Sequence, residues 1–177
     1  MPRLFTAIEI PERLGERISQ LRGRLDGARW VDPENYHLTL RFIGDVDNAV
    51  AGEVAEALGH VHRPRFSLHL DGVKCFGGRR PRALFVSVHP NPSLARLAAE
   101  NERLLQRIGL PAETRRFSPH ITLARLKGST NRAVADFISQ RSGIVAESFD
   151  VDRFVLFSSR AFSGGGPYIV EAAYPLY

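Results

Sequence analysis

The spacing of apolar residues divides the chain into amphipathic helices and short strands. Leu14, Ile18, Leu21 and Leu25 recur at the spacing of one helical face, whereas apolar and polar residues alternate around His37 and His120 as in strands. Prolines, glycines and capping residues mark the element ends. This pattern predicts helices over 12–25, 48–60, 93–108 and 130–141, and strands over 4–10, 37–43, 66–75, 82–88, 118–125, 149–157 and 167–175.

The predicted elements indicate an α+β protein. Strands alternate with helices, but short glycine-rich connections such as "GGRRP" at 77–81 are typical of hairpins and therefore of antiparallel neighbours. We expect two antiparallel sheets with helices on their outer faces. The 177 residues are enough for one sizeable core or for two lobes that share one.

Three segments of the first half reappear in order in the second half. "LFTAIEIPERL" at Leu4 resembles "LFVSVHPNPSL" at Leu84, and "FSLHLDGVKCF" at Phe66 resembles "FDVDRFVLF" at Phe149. Between them, a His-x-Thr-Leu motif occurs at 37–40 and again at 120–123. Two repeats are too few for a solenoid. We therefore predict one domain, 1–177, made of two duplicated, interleaved and pseudo-symmetric lobes with a central cleft between them.

The two His-x-Thr motifs are candidates for a shared catalytic site. Residues two apart in a strand share a face, so His37 lies beside Thr39 and His120 beside Thr122, opposite the leucines and isoleucine that face the core. One such motif alone is usually structural, because a buried histidine commonly bonds to backbone. Core packing gives no reason for the same polar pair to occur twice, and a pseudo-twofold arrangement would bring the two polar faces together.

Two imidazoles and two hydroxyls suit chemistry on a phosphodiester. Histidine titrates near neutrality, so one neutral ring can accept a proton from an attacking oxygen while a protonated ring gives one to the leaving oxygen. Threonine hydroxyls can bind the non-bridging oxygens. By simple alternation Arg41 shares the face of His37 and is a further candidate for phosphate contact. No carboxylate lies at ligand spacing from either motif, so we expect no metal.

Composition indicates the charge of the partner and excludes several classes of protein. The chain has 24 Lys+Arg against 19 Asp+Glu and a formal charge of +5, which favours an anionic partner. Of the basic residues only Lys74 and Lys127 are lysines; a proteome-wide preference for arginine explains that excess as well as phosphate binding does. One cysteine, Cys75, rules out an internal disulfide. No apolar run reaches the ~20 residues of a membrane span, and we expect a cytoplasmic protein without cofactor or membrane.

"HLTLRFIG" at His37 and "PHITLAR" at Pro119 resemble the paired motifs of the two-histidine phosphoesterase superfamily. Within it the chain is similar to the LigT-like RNA 2′,3′-cyclic phosphodiesterases, also called 2′-5′ RNA ligases, from "RLFTAIEIP" at Arg3 to "GGGPY" ending at Tyr168. The resemblance implies a bilobal fold and hydrolysis of RNA 2′,3′-cyclic phosphate ends to 2′-phosphomonoesters. It makes His37 the proton donor and His120 the proton acceptor, and the reverse reaction would form a 2′-5′ linkage.

The resemblance also implies that Arg125 touches the phosphate, although strict alternation places it opposite His120. A strand end or twist before Arg125 would resolve this conflict. Phe42 and Tyr168 either stack on the terminal base or belong to the core. We expect RNA ends or nucleotides with a 2′,3′-cyclic phosphate as partners, and a monomer without an obligate protein partner. The alternatives are a non-catalytic nucleotide or RNA-binding module, and an enzyme for ADP-ribose 1″,2″-cyclic phosphate or 2′-5′ oligonucleotides.

Overall fold

The computed structural model describes residues 1–141, 147–159 and 166–177. Part of the "GGGPY" segment therefore lies outside the described residues. The helices there are α1 (Glu12–Ser19), α2 (Asn48–Leu58), α3 (Pro92–Arg107) and α4 (Asn131–Ser139), with a short 3-10 turn at Pro33–Asn35. The strands are β1 (Arg3–Glu9), β2 (Ala28–Trp30), β3 (His37–Asp45), β4 (Phe66–Phe76), β5 (Ala83–Val88), β6 (His120–Leu126), β7 (Ser148–Val151), β8 (Arg153–Ser159) and β9 (Tyr168–Pro175).

The described strands form a large antiparallel sheet in the order β7-β4-β5-β6-β3-β1-β8-β9, with β2 added along β6. This confirms the α+β prediction. The two sheets that we expected are continuous, because β3 and β6 join them at one register pair, Leu38 with Ile121. In that order four strands lie on each side of the junction, with β2 as the ninth strand beside β6, and each His-x-Thr motif lies on one of the two strands that meet there.

Equivalent positions of the two sequence repeats pair with each other in the sheet. Leu38 and Ile121 follow the two motif histidines, and they are direct register partners. Ser67 and Asp150, 83 residues apart like the histidines, are also partners, and the Ser67 hydroxyl donates to the Asp150 carboxylate at 2.5 Å. A pseudo-twofold relation between the repeats would give this self-pairing. The organisation as one domain of two interleaved lobes stays a prediction.

Two predicted elements differ clearly from the structure. The helix expected over 12–25 ends at Ser19, where the chain turns through Gln20 and leaves Leu21 buried outside the helix. Gly27, with φ of +84°, then forms the turn into β2. The strand expected over 149–157 breaks at Asp152, because β7 pairs with β4 whereas β8 pairs with β1 on the other side of the junction.

Apolar side chains between the sheet and the helices form the main core. The residues that alternate with the motif side chains are part of it: Leu38, Ile121 and Leu123 are fully buried, and Leu40 is nearly so. This core fixes the opposite, polar face of β3 and β6. In the part of the chain that the structure describes, no helix combines the length and the apolar character that crossing a bilayer requires.

Candidate active site

Both motifs present their polar side chains on the face of the sheet away from the core. His37, Thr39, His120 and Thr122 are all partly exposed, while the residue after each is buried. Because Leu38 pairs with Ile121, the two motif strands lie side by side at this point. The sequence prediction that the two polar faces converge is therefore met by the geometry of the junction.

Two connected hollows meet at the motif residues. A cavity of about 430 Å³ is lined by His37, Thr39 and Thr122, and a groove of about 990 Å³ is lined by Thr39 and His120. Phe42 and Arg125 line both hollows. Each histidine thus lines its own hollow, with Thr39 and Arg125 at the boundary between them and Thr122 in the smaller cavity. Further lining residues of the smaller cavity are Arg3, Phe5, Val31, Asn35, Ser159 and Tyr168.

The backbone fixes both imidazoles in the same tautomer. Nδ1 of His37 lies 2.8 Å from the carbonyl oxygen of Asn35, and Nδ1 of His120 lies 2.7 Å from the carbonyl oxygen of Ser118. A carbonyl oxygen only accepts, so each Nδ1 must carry hydrogen and donate it. In the neutral rings Nε2 therefore holds the lone pair. Each ring can accept a proton at Nε2 or, when charged, give one from it.

His37 lies in an aromatic pocket that opposes its protonation. The rings of Phe5, Phe157 and Tyr168 have centroids 5.0, 6.1 and 5.0 Å from the imidazole. Burial lowers the pKa of His37 below its ordinary value, the hydrogen bond to Asn35 opposes that shift, and the nearby His120 adds to it. The free protein therefore favours a neutral His37.

His120 has an aromatic wall of its own on the other strand. Phe76 meets its imidazole edge-on with centroids 4.9 Å apart, and Phe85 lies at 5.6 Å. Phe76 and Phe85 are themselves stacked at 3.9 Å. Each histidine is thus held by a backbone carbonyl at one nitrogen and by aromatic rings along its sides, which limits the ring to one orientation.

Both motif strands contain a register shift one residue beyond the threonine. In the pairing of β3 with β1, Leu40 has no partner in the register. In the pairing of β6 with β5, Leu123 has none. Such bulges invert the alternation of faces for the residues that follow. Arg125 therefore lies on the face of His120 and lines both hollows, which resolves the conflict noted in the sequence. Phe42 occupies the equivalent position on β3.

The same bulge moves Arg41 off the face of His37, where simple alternation had placed it. Arg41 still lines the larger groove, and its contact with the phosphate stays a prediction. Arg41 does not share the open face of His37; it is buried, with 8% of its surface exposed. Its guanidinium forms an ion pair with Glu102 of α3 and donates to the carbonyl of Phe42. It also donates to the carbonyl of Pro111. Arg41 thus ties the motif strand to a helix and a loop that line the larger groove.

The two aromatic candidates have different surroundings. Phe42 is 42% exposed, so it does not belong to the core. The ring of Tyr168 packs edge-on against His37, and its centroid lies 5.1 Å from that of the Phe5 ring. Burial raises the pKa of Tyr168, and the charge of Arg125, which lines the same smaller cavity, partly opposes that shift.

Sequence reasoning missed the groups that orient the rings. Asn35 and Ser118 act through backbone carbonyls, so their side chains gave no signal, although each stands two residues before a motif histidine. Phe5, Phe157 and Phe76 appeared only as apolar strand residues. Of the other histidines, His60 and His62 are exposed. Among the described residues no group of three or more His, Cys, Asp or Glu side chains could hold a metal ion.

An antiparallel α+β fold with paired His-x-Thr strands on its open face defines the two-histidine phosphoesterase class. The profile of the family described as LigT like Phosphoesterase matches residues 8–86 and again residues 84–168. The chain belongs to this LigT-like phosphoesterase family. The two matches fall on the two halves that carry the repeated motifs.

Relatives and solved structures agree with this assignment. A protein of Aeropyrum pernix named RNA 2′,3′-cyclic phosphodiesterase is 43% identical over 57% of this chain and 58% of its own length. One of Aquifex aeolicus with the same name is 31% identical over 96% of this chain and 93% of its own. The crystal structure of E. coli LigT complexed with 3′-AMP has a TM-score of 0.78 and 26% identity, covering 99% of both chains.

Proposed function

We propose that this protein hydrolyses the 2′,3′-cyclic phosphodiester at RNA ends to a 2′-phosphomonoester. The observation that carries the proposal is the matched pair of imidazoles, each held by a backbone carbonyl two residues upstream with Nε2 free for proton transfer. Relatives named RNA 2′,3′-cyclic phosphodiesterase, aligned over most of the chain, support the same substrate.

The proposed reaction uses one histidine on each side of phosphorus. Water gives a proton to Nε2 of His120 while its oxygen bonds to phosphorus. The bond from phosphorus to the 3′-oxygen breaks, and that oxygen takes a proton from Nε2 of His37. The 2′-oxygen keeps the phosphate. If an RNA 5′-hydroxyl attacks in place of water, it gives its proton to His120 while the 3′-oxygen takes one from His37, and the product has a 2′-5′ linkage.

Thr39, Thr122 and Arg125 are the groups that we assign to the phosphate itself. Thr39 and Arg125 line both hollows, and Thr122 lines the smaller cavity beside them, where a ligand between the histidines would lie. Hydroxyl and guanidinium donors aimed at non-bridging oxygens stabilise the charge that develops in the transition state. Phe42 and Tyr168, beside the same boundary, are the candidates for contact with the terminal nucleoside.

The negative charge of the substrate favours the protonated form of His37 that a proton donor requires. Burial lowers the pKa of His37 in the free protein, yet a proton donor must be charged. A bound phosphodiester carries a negative charge, and a nearby opposite charge raises the pKa of an imidazole. Protonation of His37 is therefore coupled to substrate binding.

Product analysis tests the function directly. Incubation with 2′,3′-cyclic CMP should give the 2′-phosphate, and His37→Ala and His120→Ala should each lower kcat by at least about 100-fold, the usual contribution of acid–base catalysis. His60→Ala, at an exposed position, is the control. We expect EDTA to leave the rate unchanged. A 3′-phosphate product, or binding without turnover, would refute the proposal; faster turnover of ADP-ribose 1″,2″-cyclic phosphate or a 2′-5′ oligonucleotide would identify a different substrate.

A further inference from the structure

β2 brings a second arginine to the open face of the sheet beside Arg125. In the register of β2 and β6, Arg29 is the direct partner of Arg125. Direct partners on antiparallel strands have side chains on the same face, with Cβ atoms about 4.5–5.5 Å apart. Arg125 lines the two hollows of the site, so Arg29 extends the basic surface along the edge of β6 that also pairs with β3.

The neighbour of Arg29 supports this orientation independently. Trp30 packs against Phe137 of α4 with ring centroids 5.6 Å apart, which places Trp30 on the helix-covered face. Adjacent residues of a strand point to opposite faces. Arg29 therefore points to the open face, and its side chain is exposed.

The backbone holds β2 firmly in this place. The amide of Val31 donates to the carbonyl of Leu123 at 2.8 Å, and the amide of Lys127 donates to the carbonyl of Gly27 at 3.0 Å. At Gly27 a Cβ would come within 2.4 Å of the carbonyl oxygen of Lys127, so the turn requires glycine. Arg29 is thus presented by a strand with fixed ends.

Two arginines directly opposite each other call for an anion. Like charges at partner positions destabilise a sheet, and Arg29 forms no ion pair with the residues that the structure describes. Guanidinium binds phosphate oxygens through paired hydrogen bonds. A mononucleoside cyclic phosphate has one phosphate, which the histidines and Arg125 occupy, whereas an RNA end has a further phosphate one nucleotide upstream.

We propose that Arg29 binds this upstream phosphate and so makes the site favour RNA ends over mononucleotides. The inference rests on the proposed function, since it assumes that the reacting phosphate lies between His37 and His120. Arg29 is a binding residue for the RNA chain and takes no part in the proton transfers.

The test compares two substrates in the same variants. We expect Arg29→Ala to raise the KM for a short oligoribonucleotide with a 2′,3′-cyclic phosphate end by about fivefold, with 2′,3′-cyclic CMP turnover unchanged. The slope of log(kcat/KM) against log salt for the oligoribonucleotide should become shallower by about 0.7, the value for one lost phosphate contact on a single strand. Arg132→Ala is the control: it removes the same charge from α4, on the helix-covered side of the sheet. It should leave the kinetic constants for both substrates unchanged.

The outcomes separate the two proposals. If the wild type hydrolyses neither the oligoribonucleotide nor 2′,3′-cyclic CMP, the proposed function fails. If it is active, but Arg29→Ala changes both substrates equally or neither, the inference about Arg29 is overturned. Arg29→Gln and Arg29→Lys guard against a folding defect: a normal rate on 2′,3′-cyclic CMP shows an intact site, and Lys should restore part of the oligoribonucleotide binding that Gln loses.

Discussion

Leu38 and Ile121 are register partners at the junction between β3 and β6, and each directly follows a histidine of the site. Both side chains are fully buried. The contact that joins the two halves of the sheet is therefore made by the immediate neighbours of the two motif histidines, so packing at the junction and spacing of the two imidazoles depend on the same residues.

Shortening one of these side chains should affect stability and catalysis together. We expect Leu38→Ala to lower the free energy of unfolding by roughly 2–5 kcal/mol, the usual cost of a cavity in a packed core. The folded fraction should also have a lower kcat, because the cavity loosens the strand that carries His37. Urea unfolding and steady-state kinetics measure the two effects. Ile169→Ala, at a position that is 36% exposed, should change stability by no more than about 0.5 kcal/mol.

The pH dependence of the rate should shift when substrate is bound. Both profiles should be bell-shaped, since one ring must be neutral and the other charged. The profile of kcat/KM reports the free enzyme, in which burial lowers the pKa of His37. The profile of kcat reports the complex, in which the phosphate raises it. We expect the kcat profile to lie at higher pH, and coincident profiles would contradict the coupling of His37 to the substrate.

The lowered pKa of His37 should make the fold sensitive to acid. In the folded state the imidazole resists protonation, whereas in the unfolded chain it takes a proton near its ordinary value of 6.5. The unfolded state then binds more protons, so this contribution to stability is present above pH 6.5 and is lost as the pH falls below that value. Thermal unfolding at pH 7.5 and 5.5 should show a smaller drop in Tm for His37→Asn than for wild type. His60→Asn should show the wild-type drop; an equal drop in all three proteins would refute the assignment.

Replacing Arg41 should lower stability, whereas replacing Arg125 should lower activity. Arg41→Ala removes the buried partner of Glu102 and the donor to Phe42, so we expect a loss of about 1–3 kcal/mol in unfolding free energy. Arg125→Ala should leave unfolding within about 0.5 kcal/mol of wild type but lower kcat/KM by roughly tenfold or more, since its side chain lines the site.

A double variant tests how the ion pair between Arg41 and Glu102 contributes to stability. Arg41→Met combined with Glu102→Gln replaces the charged pair by groups of similar size and should recover much of the lost stability. If Arg41→Ala instead lowered activity without lowering stability, the description of Arg41 as a residue that joins strand, helix and loop would be wrong.

The repeated motifs were readable in the sequence because they depend on period-two alternation and on self-similarity, both local features. That reasoning placed His37, Thr39, His120 and Thr122 on one polar face, as the structure has them. It failed at the bulges, since the extra residues at Leu40 and Leu123 are ordinary leucines and carry no turn signal. Arg41 was misplaced for this reason, and the position of Arg125 became clear only from the paired strands.

The break at Asp152 and the role of β2 depend on long-range pairing. Ser148–Val151 and Arg153–Ser159 read as one apolar run, and only their different partners divide them. Arg29 stood in a short segment that local pattern did not identify as a strand. Its neighbour on β6 is nearly a hundred residues away in sequence, so no local rule could have assigned it.

The carbonyls of Asn35 and Ser118 give the site an unusual robustness toward point substitution. Because main-chain atoms set the tautomer of both imidazoles, replacing either side chain removes no orienting group. The backbone conformation therefore determines which nitrogen of each imidazole exchanges a proton. This arrangement persists as long as the two segments before the histidines keep their conformation.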